Sequence, residues 1–397
     1  MQGMGRWGDM DARSYFYLCT PEGRRPYFAY LARSIVSSDA TTMDRPSTTP
    51  ISNDPSFPRD APVNEQLAFL LQYAVMAPSG HNTQPWQFSI RDDAIWLYAD
   101  PALTLPALDP GGRERIMSCG AALFHLRIAM IHAGFDPLVE LFPDGGAANA
   151  ATDDASFASS GAGQKALARI RMGEHRQPSL LEERLFSAIH RRRTHREAFA
   201  DANVADADIE ALQEAAEQEG ATLEIVTGAD RRQRLLDLVI QGNEIMLADP
   251  DVRRELAEWT SRVSDKTGVV GKSRGWSRWQ TATARWLHAL PGGHPDPWRQ
   301  ETAMIRSAPV LGILATANDH VPDWLTGGQA LDRVLLRATS FGLAASFLNQ
   351  PVKVDRLRNQ LHELLTHDGV PQIILRMGVV TTQEPRSGRQ PVPVRSD

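Results

Sequence analysis

The sequence predicts a mixed helix-and-strand protein built as two related halves of one chain. Two observations carry that expectation. Residues 118–143, "SCGAALFHLRIAMIHAGFDPLVELFP", and 326–351, "TGGQALDRVLLRATSFGLAASFLNQP", align at a constant offset of 208. Gly120/Gly328, Ala122/Ala330, Leu123/Leu331, Gly134/Gly342 and Pro143/Pro351 coincide. A second echo follows in the same order, "RIRMG" at 169–173 and "ILRMG" at 374–378. Two matched blocks in one order point to duplication rather than chance. The halves run from about 61 to 175 and from 178 to 397.

Taken in order, residues 1–60 are rich in Ser, Thr, Pro, Asp and Arg and carry little apolar surface, the composition of a disordered extension. From Pro62, the residues Val63, Leu67, Leu70, Leu71, Ala74 and Val75 recur at helical spacing. Pro78 disfavours helical geometry in the residue before it, so this helix ends near Met76. The polar stretch "APSGHNTQPWQF" follows, and "WQFSIRDDAIWLYAD" reads as a hairpin turning at Asp92-Asp93. Each copy of the repeat is an apolar helix stopped by glycine, then a strand-like run ending at proline. Between them lie the amphipathic "SLLEERLFSAI", the basic run "HRRRTHREAF" (190–199), and a helix over Asp206–Gly220 leading into "ATLEIV". Residues 249–300 have no counterpart in the first half and hold Trp276, Trp279, Trp286 and Trp298 among many Arg and Gly. This insertion is either an excursion of the core or a lid over a site.

The bulk numbers exclude several classes. The chain has 397 residues, enough for two or three domains, and 42% hydrophobic residues, enough for a substantial core. Its net charge of −6 argues against a nucleic-acid binder. No apolar run is long enough to span a bilayer; Ala121 to Ala133 is broken by His125, Arg127 and His132. Cys19 and Cys119 make neither a disulfide framework nor a zinc cluster. With no continuous apolar leader core either, a reducing, cytoplasmic setting is expected.

Two motif resemblances fail. "GVVGKS" at 268–273 lacks the glycine a phosphate loop needs five residues before its Gly-Lys pair, where Lys266 stands. "HELLTH" at 362–367 places Thr366 where a zinc helix needs its second histidine.

Two polar clusters remain. In extended geometry Arg192, Thr194 and Arg196 share one side, where guanidinium and hydroxyl donors suit phosphate. The alternative is a solvated basic face. Arg386 and Arg389 near the C-terminus favour the clamp.

"PSGHNTQPWQF" resembles the Pro-Ser-x-x-Asn-x-Gln-Pro-Trp motif of the FMN-dependent nitroreductase superfamily, and "RRRTHR" resembles its Arg-x-Ser-x-Arg motif with Thr194 in place of Ser. Together with "DPGGRERIMSCGAALFHLR", "RRRTHREAF" and "APVLGILAT", these stretches are similar to the mycobacterial Acg-type branch, over roughly residues 61–390. The resemblance implies an α+β sandwich around a mixed sheet. It also implies FMN sites at the interface of two subunits, each site taking one motif from each subunit. Here the first half carries only the Asn motif and the second only the arginines. That implies a pseudo-dimer with one complete FMN site per chain.

Carried over, Arg192 and Thr194 hold the phosphate with Arg386 or Arg389. Arg196 lies near the pyrimidine edge, Ser79 and Asn82 approach from the first half, and Asn349-Gln350 pass the flavin N5. The flavin itself carries the chemistry: NADH or NADPH donates, and a nitroaromatic or quinone accepts. The other implied outcome is a flavin-sequestering protein closed by the 249–300 segment. His81 is either a proton donor or a structural residue. The expected partner is a small-molecule substrate, with no nucleic acid, membrane or metal, in a monomer or homodimer.

Overall fold

The computed structural model describes residues 57–144, 164–262, 299–380 and 388–394, all within one compact unit, Thr48–Asp397. The N-terminal extension before residue 57, the 268–273 segment, Trp276, Trp279, Trp286, Trp298 and Arg386 lie outside the described residues.

The first half opens with helix α1 (Val63–Ala74), which buries Leu67, Leu70, Leu71 and Ala74 and stops ahead of Pro78. Strands β1 (Trp86–Arg91) and β2 (Ala94–Ala99) form the expected hairpin. Its turn residues Asp92 and Asp93 both have φ 53°, the left-handed pair that a two-residue hairpin turn demands and that Asp tolerates. Helix α2 (Arg113–His132) follows, then β3 (Phe135–Leu141) and β4 (Ala168–His175). The sheet order is β1-β2-β4-β3.

Helix α3 (Leu180–Arg191) connects the halves. It starts in a reciprocal capping box: Ser179 Oγ accepts from the Glu182 N–H at 3.3 Å, and the Glu182 carboxylate accepts from the Ser179 N–H at 2.8 Å. Such a cap stabilises a helix by about 1 kcal/mol.

The second half repeats the plan with an insertion. Helix α4 (Asp206–Glu217) and β5 (Thr222–Ile225) come first. Helices α5 (Ala229–Ala248), α6 (Pro250–Arg262) and α7 (Arg299–Arg306) then intervene before β6 (Val310–Thr316). Helix α8 (Val321–Ser340), β7 (Leu343–Phe347), α9 (Asp355–His362) and β8 (Val370–Val379) complete it. The sheet order β5-β6-β8-β7 matches that of the first half.

The duplication is carried into three dimensions. Helices α2 and α8 are both 20 residues long and begin and end 208 residues apart. Gly134 and Gly342, at φ 93° and 81°, terminate them, and β3 and β7 begin one residue later. A C-terminal left-handed glycine is what such a helix stop requires.

The mixed sheet the family resemblance implied takes the form of one four-stranded sheet per half, with mixed pairing at its edge. Every ladder between the named strands is antiparallel. Among the described residues, parallel contact enters only as isolated bridges at the edges, Phe88 with Val394 and Thr194 with Ala345. The reason is that the edge partners are short returning segments: the Phe88 N–H donates to Pro393 O at 3.0 Å and the His195 N–H to Ala345 O at 2.9 Å. Residues near the C-terminus thus sit on the sheet of the first half.

One core spans both halves. Leu123, Phe124 and Leu126 of α2 and Leu331, Val334 and Leu335 of α8 belong to the same buried cluster. The two helices meet at equivalent glycines. A Cβ on Gly120 would lie 3.0 Å from Gly328 Cα, and one on Gly328 would lie 2.8 Å from Met117 Cα. Beside this contact, fully buried His125 of α2 faces Asp332 of α8, Nε2 to Oδ2 at 3.0 Å. The His125 Nδ1 lies 3.0 Å from Tyr73 O, a carbonyl that can only accept, so Nδ1 carries the hydrogen.

Candidate functional site

The loop between α1 and β1 folds tightly. His81, Asn82 and Gln84 have φ of 49°, 58° and 52°. Asn visits this left-handed region readily; His and Gln do so at some cost, so the surroundings must enforce it. Ser79 Oγ accepts from the Gln84 N–H at 3.0 Å, and the Gly80 N–H donates to Ser118 Oγ at 3.3 Å. The returning C-terminal segment clasps the rest. Asn82 Nδ2 donates to Gly388 O at 3.2 Å, and Arg389 Nη1 donates to Asn82 Oδ1 at 3.1 Å. Arg389 Nη2 donates to Met76 O at 2.9 Å, and the Gln390 N–H to Gln84 Oε1 at 3.0 Å. The structure therefore brings Asn82 and Arg389, 307 residues apart in sequence, into direct contact.

The basic run leaves α3 in extended geometry. Arg192 closes the helix, its N–H donating to Ala188 O at 2.8 Å, with φ −54° and ψ 129°. Thr194 then bridges to β7. Arg376 of β8 fixes the path by donating to Glu197 O at 2.9 Å. Arg192 is buried, which sets it apart from a solvated basic face.

Strand β7 leads directly into the third segment, Asn349 to Lys353. Asn349 Oδ1 accepts from the Ile374 N–H at 3.0 Å. Gly242 of α5 lies so close to Gln350 that a Cβ there would sit 2.8 Å from its carbonyl carbon. This contact holds the loop against α5.

The N-terminus of α2 joins these segments. Asp109 caps it, accepting from the Glu114 and Arg115 N–H groups at 3.1 and 2.9 Å. Glu114, almost fully buried, accepts from Lys353 Nζ at 2.8 Å and Asn349 Nδ2 at 3.3 Å. Its Oε2 also lies 3.2 Å from where a Gly80 Cβ would be. One carboxylate thus links the first-half loop to the second-half loop. The preceding turn is held from the insertion: Glu255 of α6 accepts from the Ala107 and Leu108 N–H groups at 3.0 and 2.8 Å. Val252 of α6 packs with Leu105 and Leu108.

The electrostatics follow from enclosure and charge. Burial lowers the His81 pKa to about 4, with Lys353 and Arg196 pushing the same way and Glu114 opposing. Burial alone would raise Glu114, but Lys353, Arg113 and His81 hold its carboxyl below the usual range. Burial and the neighbouring Glu114 raise Asp109. Burial pushes Cys119 up to about 12, so it is no nucleophile at neutral pH.

The sequence-predicted residues thus fall into connected groups. Ser79 and Asn82 share one loop that Arg389 clasps, and Asn349 touches Glu114. His81 is within electrostatic reach of both Lys353 and Arg196. Thr194 bridges to β7, which ends at Phe347, two residues before Asn349. Glu114, Lys353 and Asp109 escaped the sequence reading. Glu114 stands in "DPGGRER", an acid in the first turn of a long helix, a visible but generic signal; Lys353 carries none.

The donor set suits an anionic ligand that also bears N–H groups. Gln350, 9% exposed, has a buried Oε1 with no donor among the described residues. Arg113 Nη1 and Arg115 Nε and Nη1 are buried donors without acceptors there. No His, Cys, Asp or Glu cluster among the described residues could hold a metal. No described helix is long and apolar enough to cross a membrane. A separate groove of about 580 Å³, lined by Arg59, Phe135, Leu138 and Arg171 among others, shares no residue with this site.

No family model matches the chain. Rv3131 of Mycobacterium tuberculosis (strain ATCC 25618 / H37Rv), named as an NAD(P)H nitroreductase, is 30% identical over 320 residues, covering 80% of this chain and 86% of its own length. The acg protein of the same strain, also named as an NAD(P)H nitroreductase, is 28% identical over 329 residues, covering 81% and 92%. Among solved structures, the FMN-dependent nitroreductase NfnB from Mycobacterium smegmatis in complex with NADPH aligns at 17% identity and a TM-score of 0.32, covering 51% of this chain and 88% of its own.

Proposed function

The chain belongs to the nitroreductase family that contains Rv3131, and from that premise we propose an FMN-dependent oxidoreductase with one FMN per chain. It takes electrons from NADH or NADPH and passes them to a small aromatic acceptor of the nitro or quinone type. The observation that carries this reading is the junction at Glu114, which holds Asn349 and Lys353 of the second half and lies against Gly80 of the first-half loop. The Asn82 loop comes from one half, the Arg192–Arg196 run and the Asn349–Lys353 loop from the other, and Glu114 joins the two loops.

When bound, FMN supplies a two-electron carrier at N5. The chain's own residues hold it and set its surroundings. Arg192 and Thr194 present a guanidinium and a hydroxyl to the phosphate. Arg196 contributes positive charge that favours an anionic reduced ring. Gln350 Oε1 offers an acceptor for a ring N–H. Ser79 and Asn82 shape the wall opposite, and Arg389 keeps that wall folded. His81, with a pKa of about 4, is neutral at pH 7 and has no proton to give as an imidazolium. We therefore assign it a structural part. The internal pseudo-dimer supplies both sides of the site, so a monomer suffices for function and a homodimer is not needed.

The test is anaerobic titration of the FMN-loaded protein with NADH and with NADPH. Bleaching of the flavin absorbance by either one is expected. A protein that takes up no FMN overturns the proposal.

One observation favours a second reading, flavin sequestration. The start of the insertion is docked: Glu255 and Val252 of α6 hold the turn that leads into Asp109 and Glu114. Flavin that dithionite bleaches and neither nicotinamide nucleotide can would support sequestration over turnover.

A further inference from the structure

We infer that Glu114 is a positioning residue that sets the charge of the site through Lys353. The inference rests on the FMN reading above and goes beyond it. Glu114 is the meeting point of three separate segments. It stands on the first turn of α2, its Oε2 takes the Lys353 ammonium at 2.8 Å, and its Oε1 takes the Asn349 amide at 3.3 Å. Its carboxylate also packs against the backbone at Gly80. Its own place is fixed by Asp109, which accepts from the Glu114 N–H at 3.1 Å. The side chains of Glu114 and Lys353 are 8% and 11% exposed, so little solvent screens either charge.

The consequence follows from charge counting. Arg113, Arg196 and Lys353 act on Glu114 or His81, Asp109 acts on Glu114 and Lys353, and Glu114 holds Lys353 by direct contact. While Glu114 holds Lys353, the pair presents a dipole rather than a full positive charge. Removing Glu114 takes away the carboxylate in contact with the ammonium, leaving the more distant Asp109 as the acid acting on it, and frees the Asn349–Lys353 loop from the first half. An uncompensated cation favours the anionic, reduced form of a nearby flavin; an uncompensated carboxylate disfavours it.

The two partners should therefore move the flavin in opposite directions. The experiment measures the midpoint potential of the FMN-loaded protein by spectroelectrochemistry for wild type, Glu114→Gln, Lys353→Met and the double variant. Glu114→Gln should raise the reduction equilibrium constant about tenfold, roughly 30 mV for a two-electron couple. Lys353→Met should lower it, and the double variant should return near wild type. A merely structural role would weaken FMN binding and lower melting temperature without this sign pattern. Shifts of the same sign, or bound flavin with unaltered potentials in all variants, would overturn the inference while leaving the FMN reading intact. Wild-type protein that takes up no FMN would overturn both. If Glu114→Gln does not fold, the fall for Lys353→Met and its reversal in the double variant decide the question.

Discussion

Gly120 and Gly328 stand at equivalent positions of the duplicated sequence and also touch each other. Neither has room for a side chain: a Gly120 Cβ would lie 3.0 Å from Gly328 Cα, and a Gly328 Cβ 2.8 Å from Met117 Cα. Helices α2 and α8 cross at this point. Gly328→Ala should therefore force the helices apart. The loss should be at least the ~1–3 kcal/mol of an overpacked core, because the obstructing atoms are backbone. Urea unfolding of the variant gives the value, and a midpoint equal to wild type would contradict the packing described here.

His125 and Asp332 form a buried pair across the same helices. Asp332→Leu should leave His125 Nε2 buried without its partner while Nδ1 keeps Tyr73 O, at about 3–5 kcal/mol. Adding His125→Leu should recover much of that loss, since an apolar pair needs no partner. A double-mutant cycle on unfolding free energies measures the coupling.

The His81 pKa of about 4 lies below the ordinary 6.5. The unfolded chain then binds more protons than the folded one between those values, so stability falls as pH drops from about 6.5 towards 4. His81→Asn keeps a residue suited to the left-handed backbone and removes the titrating ring. Its melting temperature should fall less steeply than that of wild type over this window. Parallel profiles would show that His81 titrates normally.

Arg192→Ala and Thr194→Ala should each weaken FMN retention at least tenfold, read by equilibrium dialysis. Arg193→Ala, one step off the alternation, should change it much less. Equal effects at all three positions would indicate a diffuse basic patch.

Glu255→Ala removes the acceptor for two backbone N–H groups. Amide exchange at Ala107 and Leu108 should accelerate, and the flavin should become more accessible to external reductant. Unchanged exchange would mean that α6 does not secure this turn.

Much of the architecture was legible in the sequence because duplication leaves a countable trace. The offset of 208 marked where α2 and α8 stop, at Gly134 and Gly342, though both helices begin five residues before the repeated blocks, and Asp92-Asp93 marked the hairpin through its turn chemistry. The Asn82 loop and the 192–196 run were visible as unusual polar density. Their linkage was not. Glu114 meets Lys353 across 239 positions, and Asn82 meets Arg389 across 307. A lone Glu or Lys has no periodic signature, so contacts of this kind emerge only when the chain is folded. The parallel edge contacts were illegible for a related reason: the segments that make them are too short to read as strands.

The His125–Asp332 pair also has a consequence for lineage. Shifted by 208, His125 maps to Arg333 and Asp332 to Phe124, so neither partner recurs in the other half. A first half pairing with its own copy would set His125 against Phe124. A second half doing the same would bring Asp332 to Arg333 and leave no histidine between them. The two halves have become a lock and its one key. The contact at the centre of the interface therefore belongs to the joined chain and to neither half paired with itself.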